Sequence, residues 1–150
     1  MRKLQIDQLH QKMLPFDKVR RIKVSDKGWV HTVRTTLGMS LEQLGKKLLL
    51  TRASVGAIEK READGSITLN SLREAARALD MELVYGFVPI DGTLQKHIER
   101  KAELLASKIV HRTSHSMKLE DQENSHARIL KAIQERKEEI IREMPKTLWD

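Results

Sequence analysis

The sequence predicts a mostly α-helical protein: a helical bundle built around a helix-turn-helix, one short β-strand and a C-terminal helical hairpin. Three observations predict it. Residues 38–69, GMSLEQLGKKLLLTRASVGAIEKREADGSITL, read as two short helices meeting across a tight turn. Elsewhere apolar residues recur at spacings of three and four, the period of a helix with one buried face. A single segment, MELVYGFVP at residues 81–89, is short, β-branched and aromatic, and alternates instead.

In chain order, residues 3–14 place Leu4, Ile6, Leu9 and Met13 loosely along one helical side, until Pro15 ends the pattern. The next stretch, FDKVRRIKVSDKG, is basic and breaks at Gly28, so it reads as an extended arm. Val30, Val33 and Leu37 give residues 29–37 the core face of a helix, with Gly38 as its stop. Ser40 and Gln43 form a capping-box start for a helix from Leu41, in which Leu41, Leu44 and Leu48 share a face. Gly45 leaves room for a close helix crossing, and Thr51 is an N-cap for a second helix whose buried side carries Val55 and Ile58. Thr68 caps another, with Leu69, Leu72, Ala76 and Leu79 on one face.

The strand at residues 81–89 finds no partner in the sequence, and a lone strand leaves its backbone groups unpaired. Pairing with the same strand of a second subunit, through Leu83, Tyr85 and Phe87, is therefore expected, which makes the protein a homodimer. Beyond it, Leu94, Ile98, Ala102, Leu105 and Ile109 define one helix. Ile129, Ile133, Ile140 and Met144 define another, interrupted by Lys137 and stopped by Pro145. The implied division is a basic helix and arm at 1–24, a helix-turn-helix domain at 25–80, a dimerising strand at 81–89 and a helical segment at 90–150.

Charge narrows the class of partner. The 150 residues hold 28 Lys and Arg against 21 Asp and Glu, a net +7. Residues 1–24 alone hold seven of the cations against Asp7 and Asp17, so most of the excess sits in the arm. Such an arm suits an anionic partner, and Lys18, Arg20, Arg21 and Lys23 are its candidate contacts to the backbone or minor groove of DNA. The absence of cysteine excludes a disulfide framework and thiolate zinc sites. With no signal-like N-terminus and no apolar run long enough to span a bilayer, a cytoplasmic protein with no membrane partner is expected.

The start of the second helix of the pair is where a major groove is read. Arg52 is the strong reader there, since guanidinium bonds a guanine edge bidentately, worth about 1–3 kcal/mol of discrimination. Ser54 assists, Ala53 and Ala57 offer methyl contacts, and Thr51 and Gln43 at the two helix N-termini complete the candidate set. No cofactor is implied. His111 and His115, with Glu120 or Glu123, suggest a metal-dependent nuclease as the enzyme-class alternative. The tract lacks HExxH spacing, a matching acidic pair, a phosphate loop or a triad, so no enzyme is expected and no metal is assigned.

The frame Arg34, Gly38, Ser40, Leu44, Gly45, Thr51, Val55, Ile58 and Glu59 resembles the helix-turn-helix of the phage-repressor and Cro type. In that fold the counterparts of Arg34 and Glu59 pair, and the turn position held here by Leu49 is usually Gly. Further landmarks, GWVHTVRTTLGMS, KREADGSITL, ALDMELVYGFVP, HSMKLEDQ and the terminal LWD, resemble the bacterial family called mobile mystery protein A. The resemblance implies a repressor of its own operon, belonging to a mobile element, and two-fold pairing of the strand implies that the operator is palindromic. The resemblance also implies a second role, as an antitoxin-like partner of a neighbouring Fic-domain protein. Ser116 and Glu120 match the spacing of the inhibitory pattern [S/T]xxxE[G/N] of restrained Fic proteins, and Asp121 departs from it.

Overall fold

The structure, a computed structural model, describes residues 1–114 and 122–150, apart from the side chains of 114 and 122–125. Its helices are α1 (Arg2–Met13), α2 (Gly28–Thr36), α3 (Leu41–Leu48), α4 (Arg52–Asp64), α5 (Leu69–Ala78), α6 (Leu94–Ser114) and α7 (Gln122–Glu143). Two 3-10 helices, Leu14–Arg21 and Lys146–Trp149, accompany them. No described helix is long and apolar enough to cross a membrane. The chain divides into two units, residues 16–86 and, separately, residues 1–15 with 87–150.

In the unit formed by residues 16–86, α2 to α5 close around Val30, Leu44, Val55, Ala75 and Leu79. Leu44 and Val55, one from each member of the α3–α4 pair, are its fully buried large side chains. Each of α3, α4 and α5 starts at a side-chain cap: Ser40 Oγ accepts from Gln43 N–H, Thr51 Oγ1 from Ser54 N–H and Thr68 Oγ1 from Ser71 N–H, each at 3.1 Å. On α5 the buried line is Leu72, Ala75 and Leu79, while Leu69 is exposed. The face expected through Leu69 and Ala76 is thus rotated by one position, onto the fully buried Ala75.

The unit of residues 1–15 and 87–150 packs α1 and α7 against α6, with Ile98, Ala102, Ala106, Ile140 and Leu148 as its core. Lys137, which breaks the apolar line of α7, reaches Glu103 at 3.5 Å. Arg2 Nη1 donates to the Met144 carbonyl at 2.9 Å, placing a cation at the end of α7 where unsatisfied carbonyls concentrate negative potential.

Three expectations are corrected. Residues 81–89 form no strand, and the segment straddles the boundary between the units, with Leu83 and Tyr85 in one and Phe87 at the start of the other. β-propensity describes fit to a pleated sheet, and no described segment supplies a ladder for this one. The basic stretch is not extended throughout, since its first six residues, Phe16 to Arg21, lie in the 3-10 helix Leu14–Arg21. Nor is 1–24 one element: Ile6 of α1 packs on the α6–α7 core, whereas Phe16 onward belongs to the other unit.

Candidate nucleic-acid interface

The α3–α4 pair owes its sharp turn to three residues. Ser40 N–H donates back to Gln43 Oε1 at 2.8 Å, completing the capping box that starts α3. At its other end Leu49 takes the left-handed conformation, φ 58° and ψ 39°, with its side chain 91% exposed. For a non-Gly residue this costs about 1–2 kcal/mol. Offsetting bonds run from Leu50 N–H to the Gly45 carbonyl at 2.8 Å and from Leu49 N–H to the Lys46 carbonyl at 3.4 Å, the Schellman pattern. Gly45 is required by this closure, since a Cβ there would lie 2.6 Å from the Leu50 carbonyl oxygen.

The turn delivers α4 with Arg52 and Ala53 exposed at its first residues, and Ser54 and Ala57 half-buried behind them. Thr51 Oγ1 accepts the Ser54 N–H and donates to Ser54 Oγ at 2.9 Å, so the Thr51 hydroxyl is committed to the cap. Ser54 keeps its own hydroxyl proton for a ligand. Gln43 spends its carbonyl oxygen on the capping box and keeps its amide donors. Arg52 pairs with no side chain among the described residues, which leaves the fork of its guanidinium available.

What holds α4 in place is a buried polar anchor to α2. Arg34 and Glu59 are 8% and 7% exposed. Arg34 Nη2 donates to Glu59 Oε1 at 2.8 Å and Nε to Oε2 at 3.0 Å, a bidentate pair, while Nη1 reaches the Met39 carbonyl at 2.8 Å. His31 Nδ1 lies 2.9 Å from Glu59 Oε1. An ionised carboxylate only accepts, so Nδ1 carries the proton, and its 3.4 Å approach to Arg34 Nη2, itself a donor, is no hydrogen bond. Burial by itself raises the Glu59 carboxyl, but the hydrogen bonds from Arg34 and then His31 outweigh it and hold the group below its ordinary range. The hydrogen bond to Glu59 likewise raises Arg34 against the opposing effect of burial.

Comparison with family models, with curated proteins and with solved structures finds no match to this chain.

The arm cations Lys18, Arg20, Arg21 and Lys23 are all exposed and lie in the same unit as α4. Sequence reasoning overlooked Lys46 and Lys47, which with Leu37, Gly38, Met39 and Gln43 line an open depression of about 470 Å³. Adjacent lysines in the last turn of α3 were the available signal. Of the expected dimerising residues, Leu83 is half-buried, whereas Tyr85 and Phe87 are exposed. The Arg73 guanidinium stands 5.8 Å from the centre of the Tyr85 ring.

In the other unit a polar cluster forms that no motif announced. Asp91 accepts from Arg100 Nε at 2.8 Å and sits 3.0 Å from His97 Nδ1. Those two bonds, that of Arg100 first, hold its carboxyl below the usual range. Trp149 closes the cluster on the histidine side, its ring stacked on His97 with centroids 5.7 Å apart. Among the described residues no group of three or more His, Asp or Glu is arranged to hold a metal ion. His111 is exposed, while His115, Ser116, Glu120 and Asp121 and the side chain of Glu123 lie outside the described residues.

Proposed function

We propose that this chain is a sequence-specific DNA-binding regulator of the phage-repressor kind, a member of the mobile mystery protein A family acting as a dimeric repressor of its own operon in the cytoplasm. The observation that carries this reading is Arg52: an uncommitted guanidinium on the first residue of α4, behind a Thr51 cap, on a helix fixed to α2 by a buried ion pair. A helix so placed enters a major groove N-terminus first, and the basic arm supplies phosphate contacts. The test is enrichment of duplexes from a random-sequence pool by the full-length protein, followed by footprinting upstream of its own gene. Arg52→Ala is expected to weaken binding to the enriched site and spare non-specific DNA. Equal loss on both would make Arg52 a phosphate contact, and failure to enrich any duplex would sink the reading.

Dimerisation completes it. Met81, Val84, Tyr85 and Phe87 are exposed apolar residues, and although 81–89 is no strand in the single chain, its extension against a second copy would cover them. Tyr85→Pro removes a donor from the middle of that ladder and is expected to give monomers. Light scattering that still reports a dimer would move the interface elsewhere.

A second role is favoured by one observation: residues 87–150 build, with α1, a core separate from that of the helical unit carrying Arg52. That unit is the docking surface for the neighbouring Fic-domain protein in this reading. Co-expression and pull-down test it, and recovery unaffected by charge reversal and apolar-to-polar changes across its exposed residues would refute it.

A further inference from the structure

A 3-10 helix has three residues per turn, so side chains at i and i+3 stand one above another. In the segment Leu14–Arg21 that rule sorts side chains into rows, and the Ile22 N–H to Val19 carbonyl bond of 3.0 Å extends the pattern one residue further. One row is apolar: Phe16, Val19 and Ile22. Lys18 and Arg21 form the row on one side of it, Asp17 and Arg20 the row on the other, and Lys23 follows just beyond the helix.

The apolar row is anchored at one end and open at the other. A Cβ at Gly86 would fall 2.7 Å from the Phe16 ring, so the ring seats directly on glycine backbone. Val19 and Ile22 are 50% and 57% exposed. An arm that only neutralises phosphates needs the cations and has no use for this ridge.

We propose that the segment is a wedge for the minor groove of double-stranded DNA, in which Val19 and Ile22 press against the base edges while Lys18 and Arg21 on one side, and Arg20 with Lys23 on the other, meet the phosphate strands. The proposal deepens the DNA-binding reading and rests on it. The minor groove is about 6 Å wide and walled by phosphates on both sides. At about 2.0 Å of rise per residue, Val19 and Ile22 stand about 6 Å apart along the ridge, enough to touch successive base steps. Cations standing on both sides of the ridge fit a groove with two charged walls better than a flat anionic surface. Apolar side chains pushed between base steps unstack them and kink the duplex.

The test uses the full-length protein and an end-labelled duplex enriched by it, with end-to-end energy transfer reporting the bend at saturation. The wild-type protein is expected to bend the duplex by about 20–90°. V19S/I22S, whose changes are on exposed residues and whose unfolding midpoint should match the wild type, is expected to leave the bound duplex straight with the salt dependence unchanged. K18Q/R21Q is expected to keep the bend and to shallow the salt slope by about 0.9 for each phosphate that the variant no longer neutralises. A straight duplex under the wild-type protein, or an undiminished bend under V19S/I22S, overturns the wedge and leaves DNA binding standing. Failure to enrich any duplex overturns both. Sedimentation with phosphatidylglycerol vesicles that depends on Val19 and Ile22, together with a straight duplex, would overturn the wedge in favour of a lipid surface.

Discussion

Val30 donates its backbone N–H to Glu62 Oε1 at 2.8 Å, so a carboxylate on α4 caps the N-terminus of α2 from 32 positions away. Lys27 at the N-cap gives no side-chain bond of its own, and the first N–H groups of a helix otherwise lack partners. Glu59 and Glu62, one turn apart, therefore bind α4 to α2 twice. Glu62→Ala is expected to cost about 0.5–2 kcal/mol, the range for losing a cap, and Glu62→Gln less because it keeps an acceptor. Thermal unfolding of the two variants measures the difference.

Breaking the buried pair is expected to be more severe. Arg34→Met leaves Glu59 without its main partner and should destabilise the fold by about 3–5 kcal/mol. R34M/E59L removes both charges and should recover most of that loss. Urea unfolding of the two singles and the double closes the cycle, and additive losses would mean that the pair does not act as one unit.

Acid should act through the same site. Glu59 is held below its ordinary 4.5, so its contribution is complete above that value and is lost as pH falls through the lower, folded-state value. Stability of the wild type is expected to decline below about pH 4.5, the unfolded-state glutamate range, while R34M/E59L lacks this part of the acid slope. Unfolding midpoints of both proteins across acid pH give the comparison.

Leu49→Gly should stabilise the protein. Relief of left-handed strain is worth about 1–2 kcal/mol and the added chain entropy of glycine costs about 0.5–1, for a net gain of up to about 1.5 kcal/mol. A lowered midpoint would show that the exposed Leu49 side chain makes a contact that outweighs its backbone conformation.

The four-helix unit was largely legible because its signals are local. The Ser40–Gln43 box, the Thr51 and Thr68 caps and the spacing of Leu44, Val55 and Leu79 each need only a few residues to recognise. The Arg34–Glu59 pair came from resemblance, and periodicity alone does not choose between a snorkelling arginine and a buried one. Glu62 escaped notice, although a second carboxylate one turn after Glu59 was the available hint. The helix expected over residues 3–14 is present as α1, but its grouping with the arm does not hold, because Leu4 and Leu9, its most conspicuous apolar residues, are exposed and docking runs through Ile6. The Asp91–His97–Trp149 cluster joins residues more than fifty positions apart, which no window along the sequence can anticipate.

Residues 16–86 interrupt the other unit between Pro15 and Phe87, and this bears on synthesis. A ribosome that has released residue 86 has delivered every core residue of the four-helix unit, so that unit can close while translation continues. The interrupted one cannot. Its core includes Leu148, so α1, made before the rest of its unit, must wait until that residue has emerged before all the partners of its unit are present.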